Sequence, residues 1–265
     1  MRLPRWLFIT LNIYALMLAA IMVWPFLQIL MTSVTSDVTF PPHNFSILAW
    51  SNVLWPDYFR SMLVSLRMGF WATLIVVAMC LPAAYAIERR RFPGRSALGA
   101  LIFVPAIFPS ITYGIAIGVY LALYAIQWQG AFPLVVLATA TWTIPLVVRV
   151  IQGSVATTDV VYEEAALVMG ASPINTFFRV TLPLIAPGVI TAGAIAFTSA
   201  ATNFAVPWLM GTTEQPVAIF IYQDVGKLGF TPQTAIEVLV MQLVVLGIVQ
   251  TLFIVFRKQF RGAFA

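Results

Sequence analysis

Few residues in this chain are equipped for chemistry. One histidine, His43, and one cysteine, Cys80, are too few to build a zinc or haem site. No Gly-x4-Gly-Lys-Ser/Thr loop is present to cradle a nucleotide phosphate. No catalytic residue and no metal ligand is therefore assigned. Two groups remain. The first is a segment rich in small and acidic residues, 153–185, carrying Glu163, Glu164, Ala165, Ala166, Gly170, Ala171, Leu182 and Pro183. Such a segment suits docking: small residues let a partner backbone approach, and a carboxylate pairs with a base or a helix end. The second group is a set of hydroxyl and amide side chains inside apolar sequence, Thr198, Ser199, Thr202 and Asn203. Groups of that kind hydrogen-bond a passing polar solute or one another. Ser199 and Asn203 are four apart and are expected on one helical face. Tyr113, Tyr120 and Tyr124 add phenols, with either a pathway or a packing role.

The elements that must position these groups are membrane spans. Of the 265 residues, 61% are hydrophobic and only 9% charged. Soluble domains run near 25% charged, so the composition excludes disorder and argues against a water-soluble enzyme. Six apolar runs reach the roughly 20 residues needed to cross a bilayer. They are Trp6–Leu30, Met62–Ile87, Leu98–Tyr124, Phe132–Ile151, Pro187–Leu209 and Ala235–Phe256. The first run is too long for the apolar part of a signal peptide, about 7–15 residues, and is expected to remain as an anchor. The expected fold is all-α: a polytopic membrane protein, one domain over 1–265, with segment 153–185 projecting between spans 4 and 5. Gly114 and Gly118 predict a close helix approach in span 3. Pro25, Pro82, Pro105, Pro109, Pro145 and Pro207 predict bends.

Charge sets the orientation. The net charge is +5, and 11 of the 14 basic residues fall on one side of the six runs. They are Arg2, Arg5, Arg89, Arg90, Arg91, Arg95, Arg149, Arg179, Arg257, Lys258 and Arg261. The positive-inside rule then places both termini and segment 153–185 in the cytoplasm. Basic residues spaced this way serve orientation and give no reason to expect nucleic acid. On the outer side, Gln127-Trp128-Gln129-Gly130 is a tight turn, and Val217–Tyr222 predicts a short interfacial helix. Trp55, Trp128 and Trp208 are expected as interface anchors. Arg67, inside span 2, is expected to snorkel or to pair with a carboxylate such as Glu237.

Local rules divide segment 153–185 into two short helices. Thr158 or Asp159 caps the first, with Glu163 and Glu164 in its opening turn, where the helix dipole favours them. Gly170 ends it in the left-handed conformation. Ser172-Pro173 supplies an N-cap and first position for the second, and Leu182-Pro183 is expected to end that helix before span 5.

The pattern Glu164-Ala165-Ala166-x3-Gly170-x9-Val180-x-Leu182-Pro183 resembles the EAA loop of permease subunits in binding-protein-dependent ABC importers. Val180 stands where the family pattern has Ile. The resemblance implies a type I importer permease fold whose loop, the coupling helix first, docks a cytoplasmic ATPase. It implies two copies of that ATPase, carrying ATP and magnesium while this chain binds no cofactor. It also implies a periplasmic solute-binding protein and a second permease, a heterodimer being preferred to a homodimer. The location implied is the bacterial inner membrane. Phe197-Thr198, Pro216–Tyr222 and Lys227–Pro232 are similar to the second permease of spermidine/putrescine-type systems. Polyamine permeases tend to carry acidic residues where Thr202-Asn203 stand, so solutes of the iron, thiamine and aminoalkylphosphonate type are kept beside polyamine. A maltose-type sugar permease is the alternative, although its Trp-Asn pair in span 5 is missing. A proton- or sodium-coupled transporter would need intramembrane carboxylates, for which only Glu237 stands as a candidate. An intramembrane enzyme would need a dyad or paired acids that the runs do not contain.

Overall fold

A computed structural model of the chain describes residues 4–39, 43–52, 55–124 and 130–256, with Arg5, Trp6, Asn52, Ser110, Tyr113, Leu121, Ala122 and Tyr124 given by backbone only. The expectations placed on Arg2, Gln127–Gln129 with Trp128, Arg257, Lys258 and Arg261, and on the side chains of Arg5, Tyr113 and Tyr124, lie outside the described residues. Twelve α-helical segments occur among the described residues. Five stretches are long and apolar enough to cross a membrane: 7–32, 56–89, 132–157, 173–201 and 232–255. They correspond to five of the six expected runs.

The sixth run, Leu98–Tyr124, is divided. It holds α3 (Arg95–Ile102), α4 (Val104–Ile107) and α5 (Ser110–Tyr124). The second break has a local cause. Phe108 precedes Pro109, and a residue before proline is pushed out of the helical region; its ψ is 135°.

The chain forms two compact units. The first comprises residues 1–59 and 221–243. It contains α1 (Arg5–Thr32), whose apolar stretch has none of its residues buried, as suits a helix surrounded by lipid. A staple follows it. Ser36 N–H donates to Asn44 O and Ser46 N–H to Val34 O, both at 2.9 Å, while Trp50 Nε1 donates to Ser33 O at 2.8 Å. In the same loop Asp37 accepts from the Thr39 hydroxyl and from the Asn44 amide, which hold its carboxyl below the ordinary value. The Tyr58 hydroxyl donates to Glu237 O at 2.7 Å.

The second unit, residues 60–220 and 244–265, holds the core. In α2 (Pro56–Arg89) the buried residues Met68, Ala72, Val76, Cys80 and Ala84 recur every four positions, which lines one helical face. The main partners in this unit are α6 (Phe132–Thr157) and α9 (Leu182–Ala201), joined by α10 (Ala205–Met210) lying on α5. Small residues set these approaches. A Cβ at Gly69 would fall 2.8 Å from that of Ala201, one at Gly118 would fall 2.7 Å from Leu209 O, and one at Gly188 would collide with Ser154. Gly114 and Gly118 thus do face a close neighbour, and that neighbour is α10.

Two expected boundaries are corrected. Run five does not continue from Pro187 to Leu209: α9 ends at Ala201 and α10 starts at Ala205. Pro207 cannot donate to the carbonyl of Asn203, and its ring crowds that carbonyl, so the helix opens one turn upstream. Leu182-Pro183 does not terminate the second short helix either. α8 (Pro173–Thr176) runs through a π-helical turn, Phe177–Thr181, directly into α9. Pro183 lacks the N–H that would bond Arg179. The chain accommodates it by widening the preceding turn, in which Leu182 N–H bonds back to Phe177 O. The apolar patch at Val217–Tyr222 is the start of α11 (Val217–Leu228), and the final helix is α12 (Pro232–Val255).

Candidate functional site

Segment 153–185 folds as a capped helix held at the Arg89 end of α2. After α6 stops at Thr157, Thr158 is extended and Asp159 Oδ1 accepts the Val161 amide at 3.0 Å. Asp159 therefore caps the next helix, α7 (Val161–Val168). Gly170 adopts φ 89°. Ala171 N–H then reaches back to Ala166 O at 3.0 Å and Gly170 N–H to Leu167 O at 3.0 Å, which closes the helix in a Schellman-type turn. Ser172 Oγ accepts from Asn175 N at 3.3 Å and Pro173 opens α8.

One face of α7 is pinned. Glu163 and Ala166, three apart, are buried. Glu163 Oε1 lies 3.1 Å from Arg89 Nε, and Glu163 Oε2 accepts from the Tyr85 hydroxyl at 2.8 Å. Arg89 also donates through a terminal nitrogen to Thr158 O at 2.6 Å. The Tyr85 ring meets Phe177 edge-on at 5.0 Å, which ties the π turn into the same cluster. The opposite face is bare. Val161, Tyr162, Val168 and Met169 are exposed around a small residue, Ala165. Val168 and Met169 are 89% and 82% exposed, which is unusual for large apolar side chains beside a buried ion pair.

The residues singled out from the sequence thus divide. Glu163, not Glu164, makes the ion pair. Glu164 is exposed and lines a basic cavity of about 460 Å³ with Arg89, Arg90, Arg91 and Arg95. Ala165 is on the bare face, Ala166 beneath it, and Gly170 and Ala171 form the turn. Leu182 and Pro183 stand apart from α7, in the first turn of α9, with Leu182 packed on the core.

Ser199 lines an open pocket of about 360 Å³ with Trp142, Thr143 and Arg149. Asn203 lies past the end of α9, so it does not share a helical face with Ser199. Its Oδ1 accepts the Val206 amide at 3.0 Å and caps α10. Thr202 is exposed, its hydroxyl donating to Thr198 O at 2.8 Å. Tyr120 is exposed on α5. Arg67 pairs with Glu214 at 3.1 Å rather than with Glu237, and its guanidinium also lies 4.5 Å from the Phe132 ring centroid.

Tyr85 and Arg89 were missed from sequence as partners of Glu163, and Trp142, Thr143 and Arg149 as neighbours of Ser199. Periodicity offered one usable signal: Glu163 stands three before Ala166 on the face that turns inward. Among the described residues no cluster of three or more His, Cys, Asp or Glu gathers to hold a metal.

Residues 78–257 match the family described as binding-protein-dependent transport system inner membrane component. The Molybdenum transport system permease protein ModB of Mycobacterium tuberculosis is 27% identical over 75% of this chain and 81% of its own length. The Trehalose/maltose transport system permease protein MalG of Thermococcus litoralis is 25% identical over 82% of each. The Sulfate transport system permease protein CysT of Salmonella typhimurium is 30% identical over 58% of this chain and 60% of its own length. Among solved structures, a chain of a bacterial ABC transporter involved in the import of the acidic polysaccharide alginate superposes with a TM-score of 0.68. It is 17% identical, and the match covers 93% of this chain and 96% of that one.

Proposed function

This chain belongs to the family of inner membrane components of binding-protein-dependent transport systems, and from that premise we propose that it forms half of the solute pathway of an ATP-driven importer. In this reading it hydrolyses nothing itself. Segment 153–185 lies in the cytoplasm with both termini and docks an ATPase subunit, one of two. A second, homologous permease completes the pathway, and a soluble binding protein delivers the solute from outside.

The observation that carries the docking role is the two-sided character of α7. Its Glu163 face is anchored by a buried ion pair, and its other face presents Val161, Tyr162, Val168 and Met169 around Ala165. An apolar patch held rigidly in this way is what a partner cleft requires. For the solute, the pocket beside Ser199 is lined, among the described residues, by Arg149 and by no carboxylate. That lining supports a neutral or anionic cargo over a polyamine, and relatives named for molybdenum, sulfate and maltose transport are consistent with it.

The test is to charge the bare face. Val168→Asp combined with Met169→Asp changes two highly exposed side chains, so insertion and folding are kept. Co-purification of the ATPase subunit is expected to fall by roughly tenfold or more, as for loss of an interface hot spot, and uptake with it. Wild-type co-purification and uptake would overturn the docking role.

A further inference from the structure

A second cavity, which shares Phe103 and Arg149 with the Ser199 pocket, lies where α2, α3 and α6 meet, with a volume of about 400 Å³. We propose that it is a seat for a tetrahedral oxyanion, held by Arg95, Arg149, Ser96 and Gln152. It requires neither that α7 dock an ATPase nor that Ser199, absent from this lining, contact the solute.

Gln152 is only 7% exposed, lines the cavity, and its side chain makes no hydrogen bond among the described residues. Its amide atoms are not sealed from the cavity, so they are open to a ligand that enters it. Gln152 stands three residues after Arg149 on α6, so both side chains emerge on one face. The Arg149 guanidinium is stacked over the Phe103 ring, 4.5 Å from its centroid, and among the described residues no carboxylate lies within 4.0 Å of it. Stacking fixes the plane of the guanidinium and leaves its N–H fork free to bind two oxygens of one anion.

The opposite wall supplies the rest. Arg95 and Ser96 are the first two residues of α3, a helix whose N-cap, Gly94, makes no side-chain capping bond. The free N–H groups at a helix start favour negative charge, here alongside a guanidinium and a hydroxyl. Glu88 also lines the cavity. One carboxylate against two guanidinium groups still leaves the site positive, and it disfavours a crowded polyanion. Two Arg forks, an amide N–H2 and a hydroxyl are donors in excess, which suits an anion with several acceptor oxygens over a spherical halide. A free sulfate-like ion and the phosphate of a phospholipid headgroup share that chemistry.

The experiment uses the full chain with its co-purifying subunits, reconstituted in phosphatidylcholine nanodiscs. Sodium sulfate is titrated at constant ionic strength against sodium chloride. Saturable sulfate binding is expected. Arg149→Gln or Arg95→Gln should weaken it about tenfold or more, the usual loss for one charge-assisted bond. Ser96→Ala, on the exposed wall, should weaken it by less. Arg90→Gln changes a neighbouring arginine outside this cavity and should leave affinity within about twofold, since an exposed charge acts weakly at a distance.

A parallel arm includes phosphatidylglycerol and reads retained lipid by native mass spectrometry. Phosphatidylglycerol that excludes sulfate, and is retained by the wild type but not by Arg149→Gln, identifies a headgroup as the occupant. Unchanged sulfate affinity in those discs identifies a free oxyanion. The proposal is overturned if neither ligand binds saturably, or if Arg90→Gln costs as much as Arg149→Gln.

Discussion

Replacing Glu163 by alanine tests whether α7 is held by a single buried contact. The side chains of Arg89 and Glu163 are only 10% and 9% exposed. Glu163→Ala leaves the Arg89 guanidinium with Thr158 O alone and the Tyr85 hydroxyl without its acceptor. Breaking a buried pair by removing one partner costs about 3–5 kcal/mol. Arg89 is the last residue of α2 and can swing toward water, so the lower end applies, about 3 kcal/mol. That corresponds to roughly a hundredfold in a local opening equilibrium. Hydrogen–deuterium exchange of the purified chain is the assay. Amides of residues 161–168 should exchange about a hundred times faster, while the buried stretch of α6 stays protected. Glu163→Gln keeps one acceptor, cannot serve both partners, and should fall near tenfold. Exchange in α7 within twofold of wild type after Glu163→Ala would refute the pin. Uniformly faster exchange through α6 would refute its locality.

Two other substitutions follow from packing and capping. Gly118→Ala would put a methyl 2.7 Å from the Leu209 carbonyl oxygen, so the thermal midpoint should drop by the equivalent of about 1–3 kcal/mol. Gly247→Ala, with nothing within 4 Å, should change stability by no more than about 0.5 kcal/mol. Asn203→Ala removes the cap on α10 and should cost about 1 kcal/mol, recovered by Asn203→Ser. If uptake falls with the alanine and is not recovered with the serine, while stability is, Asn203 contacts solute as well.

What could be read from the sequence was what is decided within a few residues. Gly170 with Ser172-Pro173 dictates a left-handed stop followed by a capped start, and the chain makes both. Asp159 caps α7 for the same reason. The small residues at 114 and 118 announced a close approach without saying to what, because Leu209 lies on another element. Choosing between Glu163 and Glu164 was beyond local rules. The deciding partner, Arg89, is 74 residues earlier in the chain, and adjacent helical positions differ by only about 100° of rotation. The end of α9 was legible in principle, since Pro207 disrupts the turn before it, but the apolar run through Leu209 concealed it. Pro183 misled in the other direction. A proline near a helix start is tolerated, and here one widened turn absorbed what was expected to be a stop.

The uninterrupted stretch from Pro173 to Ala201 has a mechanical consequence. It is 29 residues long, about 43 Å at 1.5 Å per residue. The π turn enlarges one coil of it without breaking it. It is bounded by breaks at Gly170–Ser172 and at Thr202–Phe204, and within it Pro187 leaves one carbonyl without its helical donor. If α7 docks a moving partner as proposed, a push delivered there is carried along this stretch to its Ser199 end.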